Sequence, residues 1–134
     1  LSSLLEQEVI KSIIDNSLIY NFSHVNYKDI LILGASPKAY EVLQFYFKWY
    51  DKKRKSKKIK TRIIAYDKKV KRIPLADIRY LPQKYESPVA VNIYGNNVAI
   101  ILWAIEPIVI AIRSKEIADA YRNYFELMWK MSRV

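Results

Sequence analysis

One histidine, His24, no cysteine and two glycines, Gly34 and Gly95, set narrow limits on the chemistry of this 134-residue chain. Without Cys there can be no disulfide, thiolate metal site or Cys nucleophile. A lone His does not support a zinc site, because Asp and Glu alone rarely hold zinc; no metal is expected. His24 sits in a loop, His24-Val25-Asn26, with no acid or nucleophile nearby for it to work with. Two glycines cannot build the dinucleotide or P-loop signatures, which need several for backbone approach to phosphate. No cofactor is expected. Three residues remain as candidates for an anion or ligand site. Ser36 opens a helix whose free N–H groups could receive an anion, although capping is its first role. Ser87 precedes an apolar hairpin. Glu106 lies at the turn between two apolar strands, where a solvated turn residue is the plainer reading. No catalytic residue is assigned, and the chain is not expected to be an enzyme.

The net charge of +10 is unevenly placed. Residues 1–27 carry one Lys against three acids, net −2. Residues 28–84 carry seventeen cations against five acids, net +12, and residues 85–134 balance. The excess centres on Lys52, Lys53, Arg54, Lys55, Lys57, Lys58 and Lys60. Such a run is usually solvated surface, with cations complementing a helix C-terminus. The other reading is a nucleic-acid patch, with phosphates on the cations and bases on the neighbouring aromatics.

The elements that must position these residues follow an α/β pattern. Residues 3–16 read as a helix with a capping box at Ser3 and Glu6 and an apolar stripe of Leu5, Val9 and Ile13, with Leu4 and Ile14. A strand over 28–33 ends in Gly34-Ala35-Ser36-Pro37, a strand-to-helix turn with Pro at the first helical position. One helix is predicted from Pro37 to about Lys55. It carries Phe45, Tyr46, Phe47, Trp49 and Tyr50 all round its circumference, so one face needs cover from outside. Phe45, Trp49 and Tyr50 are therefore candidates for a homodimer interface. A strand over 61–66 completes a βαβ unit with a parallel pair, and 78–81 reads as a short edge strand. Strands over 89–94, 98–104 and 108–113 follow, with a tight turn at Gly95-Asn96. The last two are apolar on both faces, as in central strands covered by helices. Ser114 caps a closing helix to about Met131, with Ile117, Tyr121, Tyr124 and Met128 along one stripe. The fold class is α/β, a mixed sheet covered by helices.

The strings LILGASPKAYE (31–41), KIKTRIIAYD (58–67), DIRYLPQKYESPVAVNIYGNNVAIILW (77–103) and EPIVIAIRSKEIADAYRNYFELMWK (106–130) resemble the C-terminal effector domain of TrmB-like archaeal transcription regulators. The resemblance implies a fold similar to one half of a phospholipase D-like enzyme. In active members of that fold, a His-x-Lys-x-x-x-x-Asp motif lies on the strand entering the hairpin. Here its His position falls near Pro88 or Val89 and its Lys position near Ala90 or Val91, so the resemblance implies a fold without the catalysis. It also implies a regulatory domain, 28–134, preceded by a linker helix over 1–20. In the family a winged helix reads DNA and this domain answers a signal, in some members a sugar. A winged helix is absent from this chain, which begins without Met and reads as a piece of something longer. The expected partners are a second copy, a small-molecule effector, and DNA through the missing winged helix. No segment resembles a signal peptide, and the longest apolar run, Val98–Ile105, is too short to span a bilayer. A cytoplasmic location is expected.

Overall fold

The computed structural model describes residues 2–23, 29–66, 70 and 72–134, with the side chains of 2–6, 19–23 and 44 outside the description. His24 and Lys28 therefore lie outside the described residues, as do the side chains of the Ser3–Glu6 capping box.

The elements run α1 (Ser2–Ser23), β1 (Ile30–Ala35), α2 (Lys38–Val42), α3 (Gln44–Ser56), β2 (Thr61–Ala65), β3 (Ala76–Tyr80), β4 (Val89–Tyr94), β5 (Asn97–Leu102), β6 (Ile108–Arg113) and α4 (Lys115–Met131). The six strands form one mixed sheet in the order β3-β2-β1-β4-β5-β6. β1, β2 and β3 are parallel, while β4, β5 and β6 join antiparallel. The α/β class and the mixed sheet agree with the sequence pattern.

Gly34 shows why the first strand ends where it does. Its φ is +81°, and a Cβ built there would stand 2.8 Å from the Val89 carbonyl oxygen of β4. The β1–β2 register shifts at this point. A residue without a side chain is what lets the chain leave the sheet beside its neighbour.

Alternation along the strands sends two sets of residues to opposite faces. On one face Ile30, Ala90, Tyr94, Ala99, Ile101 and Trp103 pack with Ile10, Ile14 and Leu18 of α1, with Ala39 and Leu43, and with Tyr50 of α3. α1 thus shares the main core rather than serving only as a linker. Its inward stripe is Ile10, Ile14, Ser17 and Leu18; Val9, expected inside, is exposed. On the other face Leu31, Ile64 and Ile93 meet Phe125 of α4.

Three further expectations need correction. The helix predicted from Pro37 to Lys55 is broken at Leu43, whose φ of −124° and ψ of 46° are not helical. Leu43 is buried in the core, and the break turns α3 into its own direction. β6 is not a covered central strand but a sheet edge, with Ile108 and Ile110 more than half exposed. The stripe that α4 presents to the sheet is Ala118, Tyr121, Phe125, Met128 and Trp129, with Ile117 and Tyr124 outward. The reason lies beneath the helix. The Arg62 guanidinium lies 5.2 Å from the ring centroids of both Phe125 and Trp129, and Arg79 lies 4.4 Å from Trp129. These two cations on β2 and β3, with the apolar contact of Phe125 on Leu31, Ile64 and Ile93, favour rings over Ile117 at this face. Ser114 caps this helix as expected, accepting from Ile117 N at 3.2 Å.

Candidate ligand cleft

α3 has two chemically different faces. Tyr46, Phe47, Tyr50 and Arg54 turn toward the protein, while Phe45, Lys48, Trp49, Lys52 and Lys55 follow the 3.6-residue period along the opposite side.

The inward face is tied down by hydroxyls. Tyr50 Oη and Ser17 Oγ are 2.6 Å apart. Tyr46 donates to Asp15 Oδ1 at 2.5 Å, and Tyr40 of α2 donates to Asp51 Oδ2 at 2.6 Å. Burial pushes all three phenols above their ordinary range, with the carboxylate partners adding to it for Tyr40 and Tyr46. All three stay neutral, and Tyr40 and Tyr46 donate to their carboxylates. Arg54 is fully buried. Its Nη1 donates to the carbonyls of Ile59 at 2.7 Å and Leu75 at 3.1 Å, its Nη2 to that of Pro74, and its Nε lies 3.8 Å from Asp51 Oδ1. Burial raises the Asp51 carboxyl above its usual range, while the Tyr40 hydrogen bond and the Arg54 charge pull it back.

The outward face borders an open cleft of about 1010 Å³. Pro37, Tyr40 and Glu41 from the start of α2, and Arg72, Ile73 and Pro74 from the segment before β3, complete it. Phe45 is 82% exposed and Trp49 49%. Lys48, Lys52, Lys55 and Arg72 line the same space. Among the described residues two carboxylates line the cleft; Asp51 is already engaged by Tyr40 and Arg54, which leaves Glu41 against four cations. The cleft joins ring surface to positive charge.

The other predicted residues divide as follows. Lys52, Lys53, Lys55, Lys57, Lys58 and Lys60 are exposed, but Arg54 does not belong to that patch: its guanidinium is spent on backbone carbonyls. Tyr50 does not belong to an outer interface either, since it is buried and bonded to Ser17. The strand register carries Ser36, Ser87 and Glu106 to one end of the sheet, yet no hydrogen bond joins them among the described residues. Ser36 Oγ accepts from Lys38 N at 3.2 Å and Ser87 Oγ from Val89 N at 3.1 Å, both local turn contacts, and Glu106 is exposed. Positions 88–91, where the resemblance puts the catalytic His and Lys, are Pro88, Val89, Ala90 and Val91.

Among the described residues no three His, Asp or Glu side chains converge, and no helix is long and apolar enough to cross a membrane. The residue reading missed Lys48, Arg72, Tyr40 and Asp51. Lys48 was findable, since it stands one turn before Lys52 on the stripe of Phe45 and Trp49. Arg72 was not, because only the folded chain brings it to α3.

No protein-family profile matches this chain. No curated protein matches it. Among solved structures it is similar to TrmBL2, an archaeal chromatin protein whose structure shows a novel mode of DNA binding. The identity is 12% and the TM-score 0.49, over 90% of this chain and 51% of that one. The chain thus spans about half the length of that protein.

Proposed function

We propose that this chain is a regulatory domain of a TrmB-like transcription regulator, which binds an effector in the α3 cleft and pairs with a second copy. DNA reading belongs to a winged helix elsewhere in the parent protein, and the domain works in the cytoplasm without catalysis. The observation that carries the reading is the cleft itself. It is large enough for a small molecule and offers rings and cations, but its carboxylate nearest the protein is committed to structure and, among the described residues, no nucleophile with a base lines it. That is equipment for binding rather than turnover. The sequence resemblance supplies the regulatory context, and the apolar positions 88–91 support a non-hydrolytic role.

The test is thermal unfolding of the purified chain against a broad metabolite panel, beside a phosphodiester turnover assay with and without divalent metal. One or more compounds should raise the melting temperature, as any ligand of the folded state must, and no turnover should appear. A panel without effect, or hydrolysis abolished by changing a cleft residue, would sink the reading. A second reading, nucleic-acid binding by residues 52–60, draws on the exposure of all six lysines there. It requires binding that declines steeply as salt rises.

A further inference from the structure

We infer that the α3 cleft takes a nucleotide, with the base on the exposed rings of Trp49 and Phe45 and the phosphate among Lys48, Lys52, Lys55 and Arg72. This rests on the effector reading above and names its ligand class.

Three features point the same way. First, Phe45 and Trp49 are one helical turn apart and on one side, and both leave ring surface open at the cleft. Single exposed apolar residues are ordinary, but two aromatic faces at one opening offer a stacking platform that any base can use. Trp49 is held in place: its ring centroid lies 5.9 Å from that of Tyr46, and Lys53 Nζ lies 5.7 Å from it. Secondly, Lys48, Lys52 and Lys55 repeat along the same stripe as the rings, with Arg72 brought to them across the cleft. Rings and cations therefore address one ligand rather than two. Thirdly, of the described carboxylates lining the cleft Asp51 already accepts from Tyr40 and sits against Arg54, so Glu41 alone stands against the cations and the opening favours an anion.

Competing ligands use only part of this equipment. A neutral sugar has no use for four cations. Inorganic phosphate has none for the rings. Duplex DNA keeps its bases stacked on one another, out of reach of a ring on a helix surface. A base with a phosphate, free or within a single strand, uses both halves.

The experiment is calorimetric titration of the intact chain with ATP, adenosine, inorganic triphosphate, a neutral disaccharide and a short oligothymidylate. ATP should bind more tightly than adenosine or triphosphate alone. Trp49→Ala should weaken ATP by about tenfold or more, the loss expected for one stacking contact, and leave triphosphate nearly unchanged. Trp49→Tyr, which keeps a stacking face, should restore most of it; that recovery separates a lost contact from a damaged fold. Lys52→Gln with Lys55→Gln should weaken ATP and triphosphate together and flatten the salt dependence. Tighter binding of the oligonucleotide than of ATP would make a single strand the source of the base, and the reverse a free nucleotide. Triphosphate binding as tightly as ATP, with Trp49→Ala silent, overturns the proposal. Binding of the disaccharide instead overturns the ligand class and leaves the effector reading standing, whereas a wholly inert metabolite panel removes both.

Discussion

Arg54 and Asp51 stand three residues apart in a run of lysines, and the fold treats them unlike their neighbours. Lys52, Lys53 and Lys55 project outward, while the Arg54 fork reaches back carbonyls from α3's end and from the segment before β3. Only Arg presents enough donors in a fixed fork for that. Asp51 shares its pocket, and burial holds its carboxyl above the ordinary range. A raised folded value means that the folded chain keeps the Asp51 proton at pH values where the unfolded chain has lost it. Stability from this group is present below the unfolded value and is lost as pH rises through the folded one. Asp51→Asn removes the titration while keeping an oxygen for the Tyr40 hydroxyl. The unfolding free energy of the natural chain, less that of Asp51→Asn, should therefore grow as pH falls from neutral into the acid range. Urea denaturation at a series of pH values measures it; a difference that shrinks toward acid would show that Arg54 outweighs burial. Nothing in the order of residues 52–60 told which cation would turn inward. A one-dimensional run carries no sign of the carbonyls that Leu75 and Pro74 bring from twenty residues away.

The ends of the helices were legible where a side chain makes the cap and illegible where the backbone does. Ser114 marked the start of α4 and does cap it. The end of α3 carries no glycine. It closes in a backbone motif instead, with Lys58 N donating to Lys55 O at 3.0 Å and Ile59 N to Arg54 O at 3.2 Å. Lys58 takes the left-handed position, φ 58°, that usually falls to glycine. Lys58→Gly relieves the steric penalty of a Cβ in that region, against some added freedom in the unfolded chain. The net, roughly 1–2 kcal/mol of relieved strain less about 0.4–1 kcal/mol of added freedom, should be a gain of up to about 1 kcal/mol. Lys58→Val, branched at Cβ, should lose stability at the same site. Chemical denaturation of the two variants decides, and a loss in the glycine variant would show that the lysine side chain itself supports the turn. The hairpin at Gly95-Asn96 and the βαβ unit could be read from turn residues and apolar runs. The phase of α4 could not, since a stripe through Ile117 and Tyr124 and one through Ala118 and Phe125 are both apolar, and the groups that choose between them, Leu31, Ile64, Ile93, Arg62 and Arg79, come from distant strands. The break at Leu43 bears no Pro or Gly to announce it.

At the scale of the molecule, the two faces of the sheet are unequally covered. α1, α2 and α3 lie on one, and α4 lies alone on the other. Six strands span about 24 Å and one helix covers about 10 Å of that. What stays open is apolar: Ile108 and Ile110 of edge strand β6, and the outward stripe Ile117, Tyr124, Leu127 and Met131 of α4. These four helix positions have the spacing of a two-helix seam. Beside them run Glu116, Asn123 and Lys130, seven residues apart, with Glu116 and Lys130 both exposed. Two copies of α4 laid antiparallel about a two-fold axis bring Glu116 of each against Lys130 of the other and pair Asn123 with itself. The seam is thus complementary to its own copy in charge as well as in apolar surface, as an isologous interface must be. α4 and β6 thus offer a second candidate dimer contact beside the Phe45–Trp49 face, which borders the cleft. Light scattering at micromolar concentration should give the mass of two chains. Leu127→Glu with Ile110→Lys should give the mass of one while the melting curve still shows a folded protein, and Trp49→Glu should leave the pair intact. Glu116→Lys should weaken association, and adding Lys130→Glu should bring it back, because the exchanged charges again face each other across the axis. A single-chain mass for the natural protein would refute the pairing. A pair that survives the α4 changes and dissociates with Trp49→Glu would return the contact to α3.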